Sequence, residues 1–281
     1  MLMLKQPTSF AVIVGTLGLS GLAACSSGGK LESTSTASST SSSTSSSTAI
    51  SQSVSSRDPY ADDPTLRVDD ESSTTGTQIH LTAVALPSGE APGAWYAYGS
   101  DPGTNATLTP PAGVEPAFTA LDAGPFPHAA CVSSSGFDGA FAGEGFYFAT
   151  VEDDAGQTLA APVDFSAFSG FTFWAMSTTN TWIRVNVPDD QTFGLDPTAA
   201  CHGVEAGGSC DDDFSQDNET LTGTWTQFLV YFLNLSQNNF GAQFYTLDTQ
   251  NLFGVQFQVE GSEDGGAIPF QFCVSQIALF R

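Results

Sequence analysis

Basic residues are scarce in this 281-residue chain: six Lys plus Arg stand against thirty Asp plus Glu, for a formal charge of −24. A surface that binds nucleic acid neutralises phosphates with clustered Lys and Arg. Six basic residues spread over the whole chain cannot form such a cluster. Nucleic acid is therefore excluded as a partner. The acidic excess also repels anionic polymers in general.

Long apolar runs are also lacking after the first 24 residues. A membrane-spanning helix needs about 20 predominantly apolar residues, and no later stretch comes near that length. Only three Met stand beside 28 Gly, 15 Pro and 22 Phe. Since aromatic residues favour strands while Gly and Pro favour turns, this composition predicts an all-β protein.

The first 24 residues are typical of an export signal. Lys5 precedes an apolar stretch, and the segment ends in Leu22-Ala-Ala, a small-residue cleavage site directly before Cys25. This ending resembles the bacterial lipobox, and the resemblance implies that the Cys25 thiol is lipidated. The alternative is an ordinary signal peptide with an incidental Cys25. At about 0.8 kcal/mol per buried CH₂, two or three acyl chains would hold the protein stably on a membrane. By the same resemblance, Ser26 in place of Asp predicts the outer membrane or the cell surface.

Residues 25–64 are predicted to be the lipidated N-terminus and a disordered Ser/Thr-rich tether. A segment without apolar periodicity cannot offset the entropy of ordering its chain. The ordered domain is predicted over residues 65–281, where short strands alternate with turn signals as in a β-sandwich or barrel. The expected strands cover residues 78–86, 94–98, 128–133, 145–151, 170–177, 182–187, 224–232, 252–260 and 269–280.

Alternation in three of these strands separates an apolar face from a polar and aromatic one. The side chains predicted to share the outer surface are Trp182, Arg184, Asn186, Gln227, Tyr231, Gln256 and Gln258. Pyranose rings stack on Trp or Tyr, and their hydroxyls pair with amides and guanidinium groups. If the three strands are neighbours in one sheet, this surface is predicted to bind carbohydrate. The alternative is that a one-sided sheet simply exposes polar residues to solvent.

Six aromatic-rich segments follow one another along the chain: residues 93–98, 136–145, 171–175, 224–228, 254–259 and 270–274. Together they resemble the galactose-binding-like jelly-roll carbohydrate-binding modules of secreted bacterial glycan-degrading enzymes and surface lipoproteins. The resemblance covers nearly all of residues 80–281, and it implies a two-sheet antiparallel β-sandwich whose concave sheet binds polysaccharide. Relatives often hold a structural calcium with paired Asp in the last strand, where this chain has Ser275 and Gln276. The resemblance therefore does not support calcium at that position, and no other cofactor is expected.

Four cysteines remain once Cys25 is lipidated, and an exported chain permits disulfides. Cys201 and Cys210 bracket a Gly-containing loop, which a bridge would stabilise by roughly 2 to 3 kcal/mol. Elimination then pairs Cys131 with Cys273, provided that their strands adjoin. The alternative is a metal site of Cys201, His202 and Cys210, which offers only three visible ligands.

No catalytic constellation stands out in the sequence. His80, His128 and His202 lie in different segments without a nucleophile motif. Among 30 acidic residues some carboxylate pair will match glycosidase spacing by chance. The acidic runs 152–154 and 211–213 are predicted to be solvated loops rather than calcium sites.

We therefore expect a monomeric, lipid-anchored and non-catalytic protein that binds a neutral polysaccharide. The alternative is a structural or adhesive surface lipoprotein that contacts protein and has no sugar ligand.

Overall fold

The structure is a computed structural model that describes residues 67–69, 81, 84–100, 108–113, 119–120, 128–137, 141–196, 199–203, 209–261 and 268–281. The chain divides into two compact units, Met1–Ser53 and Val54–Arg281, and every described residue belongs to the second. The predicted signal peptide at 1–24, Cys25, the tether at 25–64 and His80 lie outside the described residues. Within those residues no helix has the length and apolar character needed to cross a membrane.

Strands dominate the described residues. They are β1 (Arg67–Asp69), β2 (Ala91–Pro92), β3 (Trp95–Gly99), β4 (Leu108–Thr109), β5 (Thr119–Ala120), β6 (His128–Phe137), β7 (Phe141–Tyr147), β8 (Ala149–Glu152), β9 (Thr158–Ala161), β10 (Gly170–Ser177), β11 (Trp182–Val187), β12 (Phe214–Thr220), β13 (Thr226–Tyr231), β14 (Gly254–Glu260) and β15 (Ile268–Phe280). The helical segments among them are two short 3₁₀ turns, Ala200–Gly203 and Phe232–Asn234.

Two antiparallel sheets pack face to face. The seven-stranded sheet runs β13-β10-β15-β6-β4, with β1 beside β15 and β5 beside β6, and the five-stranded sheet runs β12-β11-β14-β7-β3. A further small sheet is formed by β2, β8 and β9. The predicted all-β class, a two-sheet antiparallel β-sandwich, is therefore confirmed.

Alternating apolar residues from both sheets form the core between them. Phe173 of β10 meets Phe257 of β14 with ring centroids 4.9 Å apart, and Phe228 of β13 stacks on Phe173 at 5.2 Å. On β11 the buried set is Ile183, Val185 and Val187, as the alternation predicts. Burying this face leaves the opposite side chains of the same strands on the outer surface.

A bulge lets β15 keep one face in the core although its apolar pattern changes along the strand. Phe272 and Val274 contribute to the core before Gln276, while Ile277 and Leu279 contribute after it. Gln276 has a φ of 51°, and the pairing register with β10 shifts at this point. The extra residue moves the buried set from even to odd positions, so both halves of the strand bury apolar area.

Two expectations about strands are wrong. The described part of the expected first strand, residues 81 and 84–86, is not in a strand, although Leu81, Val84 and Leu86 pack against the core. Conversely, the sequence does not predict β12, because Phe214 is its only apolar residue. This edge strand forms through its pairing with β11, which a hydrophobic pattern does not reveal.

Both predicted disulfides are present. Cys131 and Cys273 face each other directly on β6 and β15, with Cα atoms 4.1 Å apart. Cys201 and Cys210 close the short loop that the spacing predicts. His202 Nδ1 lies 3.5 Å from Cys210 Sγ, but the bond already uses both sulfurs that the alternative metal site needs as thiolates.

The two disulfides should contribute unequally to stability, since the stabilisation grows with the length of chain that a bridge closes. Cys131 and Cys273 are 142 residues apart, and Cys201 and Cys210 are nine apart. Urea unfolding of Cys131→Ala/Cys273→Ala should show a loss of about 5 kcal/mol in the free energy of unfolding, and Cys201→Ala/Cys210→Ala a loss of about 3 kcal/mol. The reverse ranking would contradict this account.

Candidate functional site

A groove of about 570 Å³ lies on the outer face of the five-stranded sheet. Four of the predicted surface residues line it together, namely Arg184, Asn186, Gln256 and Gln258. They meet there because β11 and β14 are hydrogen-bonded neighbours, with Arg184 opposite Gln258 and Asn186 opposite Gln256. The prediction that these side chains share one exposed face of one sheet is thus confirmed for β11 and β14.

Glycines on β7 form the middle of the floor. The pairing register forms two neighbouring rows across the sheet. One row is Tyr96, Gly145, Gln256 and Asn186, and the other is Tyr98, Gly143, Gln258 and Arg184. A Cβ on Gly145 would lie 2.7 Å from the Val255 carbonyl oxygen, so a larger residue would force β14 to move. Because Gly145 has no side chain, the Gln256 side chain can lie over it and reach towards Tyr96 on the far strand.

The polar side chains of the floor are already held by one another. Asn186 Nδ2 donates to Gln258 Oε1 at 3.1 Å, and Gln256 Nε2 donates to the Tyr96 hydroxyl oxygen at 3.2 Å. Arg184 forms ion pairs with Asp217 of β12 and Glu260 of β14. These contacts fix the orientation of three amides and one guanidinium before any ligand arrives.

An aromatic row runs along the opposite side of the floor. Tyr96 lies between Tyr98, at a centroid distance of 5.9 Å, and Tyr147, on which it stacks at 4.5 Å. Phe141 extends the row beyond Tyr98 at 6.2 Å, and Phe193 extends it beyond Tyr147 at 6.0 Å. Of these rings, Tyr98 and Phe141 line the groove itself.

Two loops form the far wall, and Asp212 joins them. Its carboxylate accepts hydrogen bonds from the backbone N–H groups of Asn238, Phe240 and Gly241, at 2.9, 3.1 and 3.2 Å, and from Gln243 Nε2 at 2.7 Å. Asp212 is buried, so the prediction that residues 211–213 form a solvated loop is wrong. The Cys201–Cys210 bridge holds the same wall from the other side, since Cys210 also lines the groove.

Asp213 is a buried acidic side chain of the groove lining. Only 9% of its surface is exposed, and its Oδ1 atom is buried without a hydrogen-bond partner. Burial raises the pKa of Asp213 to about 7, and the negative charges of Asp211, Asp189 and Asp212 act in the same direction. Tyr98 also lines the groove, and its hydroxyl is likewise buried without a hydrogen-bond partner.

Three of the predicted residues do not line the groove. Trp182 lies on the expected face at the start of β11, 41% exposed, but outside the lining. Gln227 and Tyr231 belong to β13, which pairs with β10 at the edge of the seven-stranded sheet, so placing them on the same surface as Gln256 is wrong. Alternation assigns a side chain to a face of its own strand, but it does not say which of two sheets the strand joins.

Sequence reasoning also missed part of the lining. Tyr98 and Phe141 lie within two of the aromatic-rich segments, and alternation within residues 93–98 could have put Tyr98 beside Tyr96. Asp213, Asn238 and Phe240 come from loops, and no local sequence signal places them at the groove.

No protein-family model and no curated protein sequence matches the chain. Similar solved structures are carbohydrate-binding modules. A family 11 module from Clostridium thermocellum, solved with a β-1,3-1,4-mixed-linked tetrasaccharide, has 14% identity and a TM-score of 0.44, over 76% of this chain and 94% of that one. A family 30 module of a Clostridium thermocellum cellulosomal cellulase has 12% identity and a TM-score of 0.39, over 76% of this chain and 95% of the other.

An exo-β-agarase is also similar, with 11% identity and a TM-score of 0.38, but the match spans 76% of this chain and only 25% of the agarase. With TM-scores below 0.5, these likenesses say nothing about the ligand of this chain. The ligand has to be argued from the groove.

Glu144 lies directly beneath the groove, on the core side of β7. It pairs with Phe257 on one neighbouring strand and Ala97 on the other, both of which are buried, and neither of its carboxylate oxygens has a hydrogen-bond partner. Burial in this apolar layer raises the pKa of Glu144 well above its ordinary value of 4.5. Burial therefore favours the neutral form of this side chain.

This burial makes stability depend on pH. Between the ordinary pKa of a carboxyl and its raised value in the fold, the folded chain binds more protons than the unfolded chain, so stability falls as the pH rises. Wild-type protein should be more stable to urea at pH 5 than at pH 8. Glu144→Gln should raise the free energy of unfolding at pH 8, with a gain that shrinks towards pH 4. Exposed Glu152 offers the matched control Glu152→Gln, and a gain for Glu144→Gln that is the same at both pH values would refute the assignment.

Proposed function

We propose that this chain binds a neutral polysaccharide in the groove without cleaving it. One observation carries the proposal: the rings of Tyr98 and Phe141 line the same groove as pre-oriented amides and a guanidinium. The apolar C–H face of a pyranose ring packs on aromatic rings, while hydroxyls at its edge pair with amide donors and acceptors. Both kinds of contact are available within one depression.

The charge of the groove favours a neutral polymer. Arg184 is the one basic residue among the described residues that line it, and Asp217 and Glu260 offset its charge. Asp211 and Asp213 add further acidic groups to the lining. Sulfated or uronic polymers would meet the same negative field that the chain's charge of −24 creates elsewhere.

The carboxylates of the lining are engaged in structural contacts, which supports binding without catalysis. Glu260 is paired with Arg184, and Asp211 Oδ1 accepts the Gly194 N–H at 3.1 Å. Glycoside hydrolysis needs an acid together with a second, free carboxylate on the other side of the scissile bond. Asp213 alone does not meet that requirement.

The remaining part of the proposal concerns location. A lipidated Cys25 would anchor the chain in the outer membrane or at the cell surface, and residues 25–64 would hold the monomeric domain roughly 30 Å clear of the bilayer. The support is the Leu22-Ala-Ala-Cys25 motif and the Ser/Thr-rich composition that follows it. Such a protein would keep polysaccharide close to the cell.

The groove residues can be tested by affinity electrophoresis in gels that contain soluble glucans, mannans or xylans. Wild-type protein should be retarded by at least one polymer. Gln256→Ala/Gln258→Ala should weaken that retardation on the order of tenfold or more, since each lost amide removes about 1 kcal/mol of hydrogen bonding. Gln227→Ala is the matched control, because it removes the same amide from the other sheet, and it should behave as wild type.

Each other outcome has a distinct meaning. Wild-type migration that no polymer changes would reject glycan binding and favour the adhesive alternative, in which the sandwich contacts protein. Release of reducing sugar from a polymer would reject the non-catalytic assignment.

The anchor can be tested in a bacterial host with the full chain. Wild-type protein should incorporate labelled palmitate and partition into the detergent phase of Triton X-114, whereas Cys25→Ala should do neither. A wild-type protein that stays in the aqueous phase, with an N-terminus other than residue 25, would reject lipidation in favour of an ordinary signal peptide.

A further inference from the structure

A second depression, of about 530 Å³, lies outside the groove, at the edge of the seven-stranded sheet. It is bounded by the end of β13 with the 3₁₀ turn that follows, by residues 245–249, and by the end of β15. Three of its large side chains are well exposed: Tyr231 at 43%, Leu233 at 93%, and Tyr245 completely. The depression uses Tyr231, which the strand pattern assigned to a sugar-binding face but which does not reach the groove.

Three rings of this pocket, those of Tyr231, Phe280 and Phe168, are held in place. Tyr231 packs edge-on against Phe280 with centroids 5.0 Å apart. Gly170 lies between them in the sheet, and a Cβ at that position would come within 2.8 Å of the Phe280 ring. The Arg281 guanidinium lies 5.4 Å from the centroid of the Phe168 ring. The pocket is therefore built on a fixed platform.

Its polar groups are hydroxyls and one cation. Ser169, Thr246 and Thr249 bring hydroxyls to the lining, and Arg281 brings a guanidinium. Among the described residues that line it there is no Asp or Glu. Like the groove, the pocket combines aromatic rings with a guanidinium, but it offers hydroxyls where the groove offers amides.

We propose that this pocket is a second binding site for neutral polysaccharide, distinct from the groove. The inference rests on the proposed function, because it takes the same class of ligand. Exposed tyrosines provide faces for pyranose rings, and the Thr hydroxyls and Arg281 provide partners for sugar hydroxyls. Charge argues against other occupants: a second copy of this chain brings another −24, and anionic surfaces are repelled.

One loop connects the two sites. Asn238 and Phe240 line the groove, whereas Tyr245, Thr246 and Thr249 line the pocket. Asp212 fixes the first part of this loop, and the Asp248 N–H donates to Asp189 Oδ2 at 2.8 Å in the second part. The spacing of the sites is thus set by the fold, so a long polymer that reaches both gains avidity that a short oligosaccharide cannot.

The experiment uses the full chain and the polymer that retards the wild type most. Tyr231→Ala/Tyr245→Ala should weaken retardation by about 25-fold, since each ring contributes about fivefold. Tyr245→Ala alone should weaken retardation about fivefold. Because the Tyr245 side chain is completely exposed, this loss would not come from misfolding. Leu229→Ala is the matched control, because Leu229 is equally exposed on the same strand but outside the pocket.

Two results would overturn the second site. The first is that both tyrosine variants are retarded as strongly as the wild type. That result would leave the groove as the sugar site and the proposed function intact. The second is a wild-type dimer in sedimentation velocity that Tyr245→Ala converts to monomer, since the patch would then be a self-association surface. Failure of the proposed function looks different, because in that case the wild type itself is not retarded.

Discussion

The groove depends on the burial of one face of the five-stranded sheet. Ile183, Val185 and Phe257 point to the core, where Phe257 meets Phe173 of the other sheet at 4.9 Å. Because side chains alternate along a strand, burying these residues forces Arg184, Asn186, Gln256 and Gln258 outward in a fixed register. A slip of one residue in β14 would bury both glutamines and expose Phe257, at a cost of roughly 1.5 to 3 kcal/mol for each apolar side chain lost from the core. The chemistry of the outer face is therefore as well determined as the packing of the inner one.

A chain with thirty acidic and six basic residues cannot pair its buried carboxylates with cations. The structure accommodates them in two other ways. Asp212 accepts several N–H hydrogen bonds, which stabilise a carboxylate without a counter-charge. Glu144 and Asp213 have raised pKa values because burial disfavours their charged forms. The hydrogen bonds to Asp212 fix the loops of the groove wall. Glu144, below the groove, and Asp213, in its lining, keep buried carboxyl oxygens without hydrogen-bond partners.

The sequence predicts which face of a strand a side chain takes better than it predicts which strands are neighbours in a sheet. Alternation correctly places Arg184, Asn186, Gln256 and Gln258 on one outer surface. Loop spacing predicts the Cys201–Cys210 bridge, and elimination then predicts the Cys131–Cys273 bridge. The sequence cannot assign β13 to a sheet, since that choice rests on pairing with β10 across more than fifty residues of chain. Phe240 and Asp213 are beyond its reach for a similar reason: both lie in loops whose position is set by hydrogen bonds to Asp212 and by the Cys201–Cys210 bridge. Local patterns thus predict the floor of the groove, and long-range contacts decide its wall.

This division has a consequence for how the groove would bind. On the floor, Asn186, Gln258 and Arg184 are held by neighbouring side chains, so a ligand would not have to order them; each mobile side chain would otherwise cost about 0.5 to 1.5 kcal/mol on binding. On the wall, the Phe240 ring is 58% exposed although its backbone is fixed by Asp212, so this ring would lose freedom on contact with a ligand. Affinity for a sugar ring should therefore come mainly from the floor, where the entropy cost is already met within the fold. Selection among polymers of different shape would then fall to the wall, where the exposed Phe240 ring lines the groove.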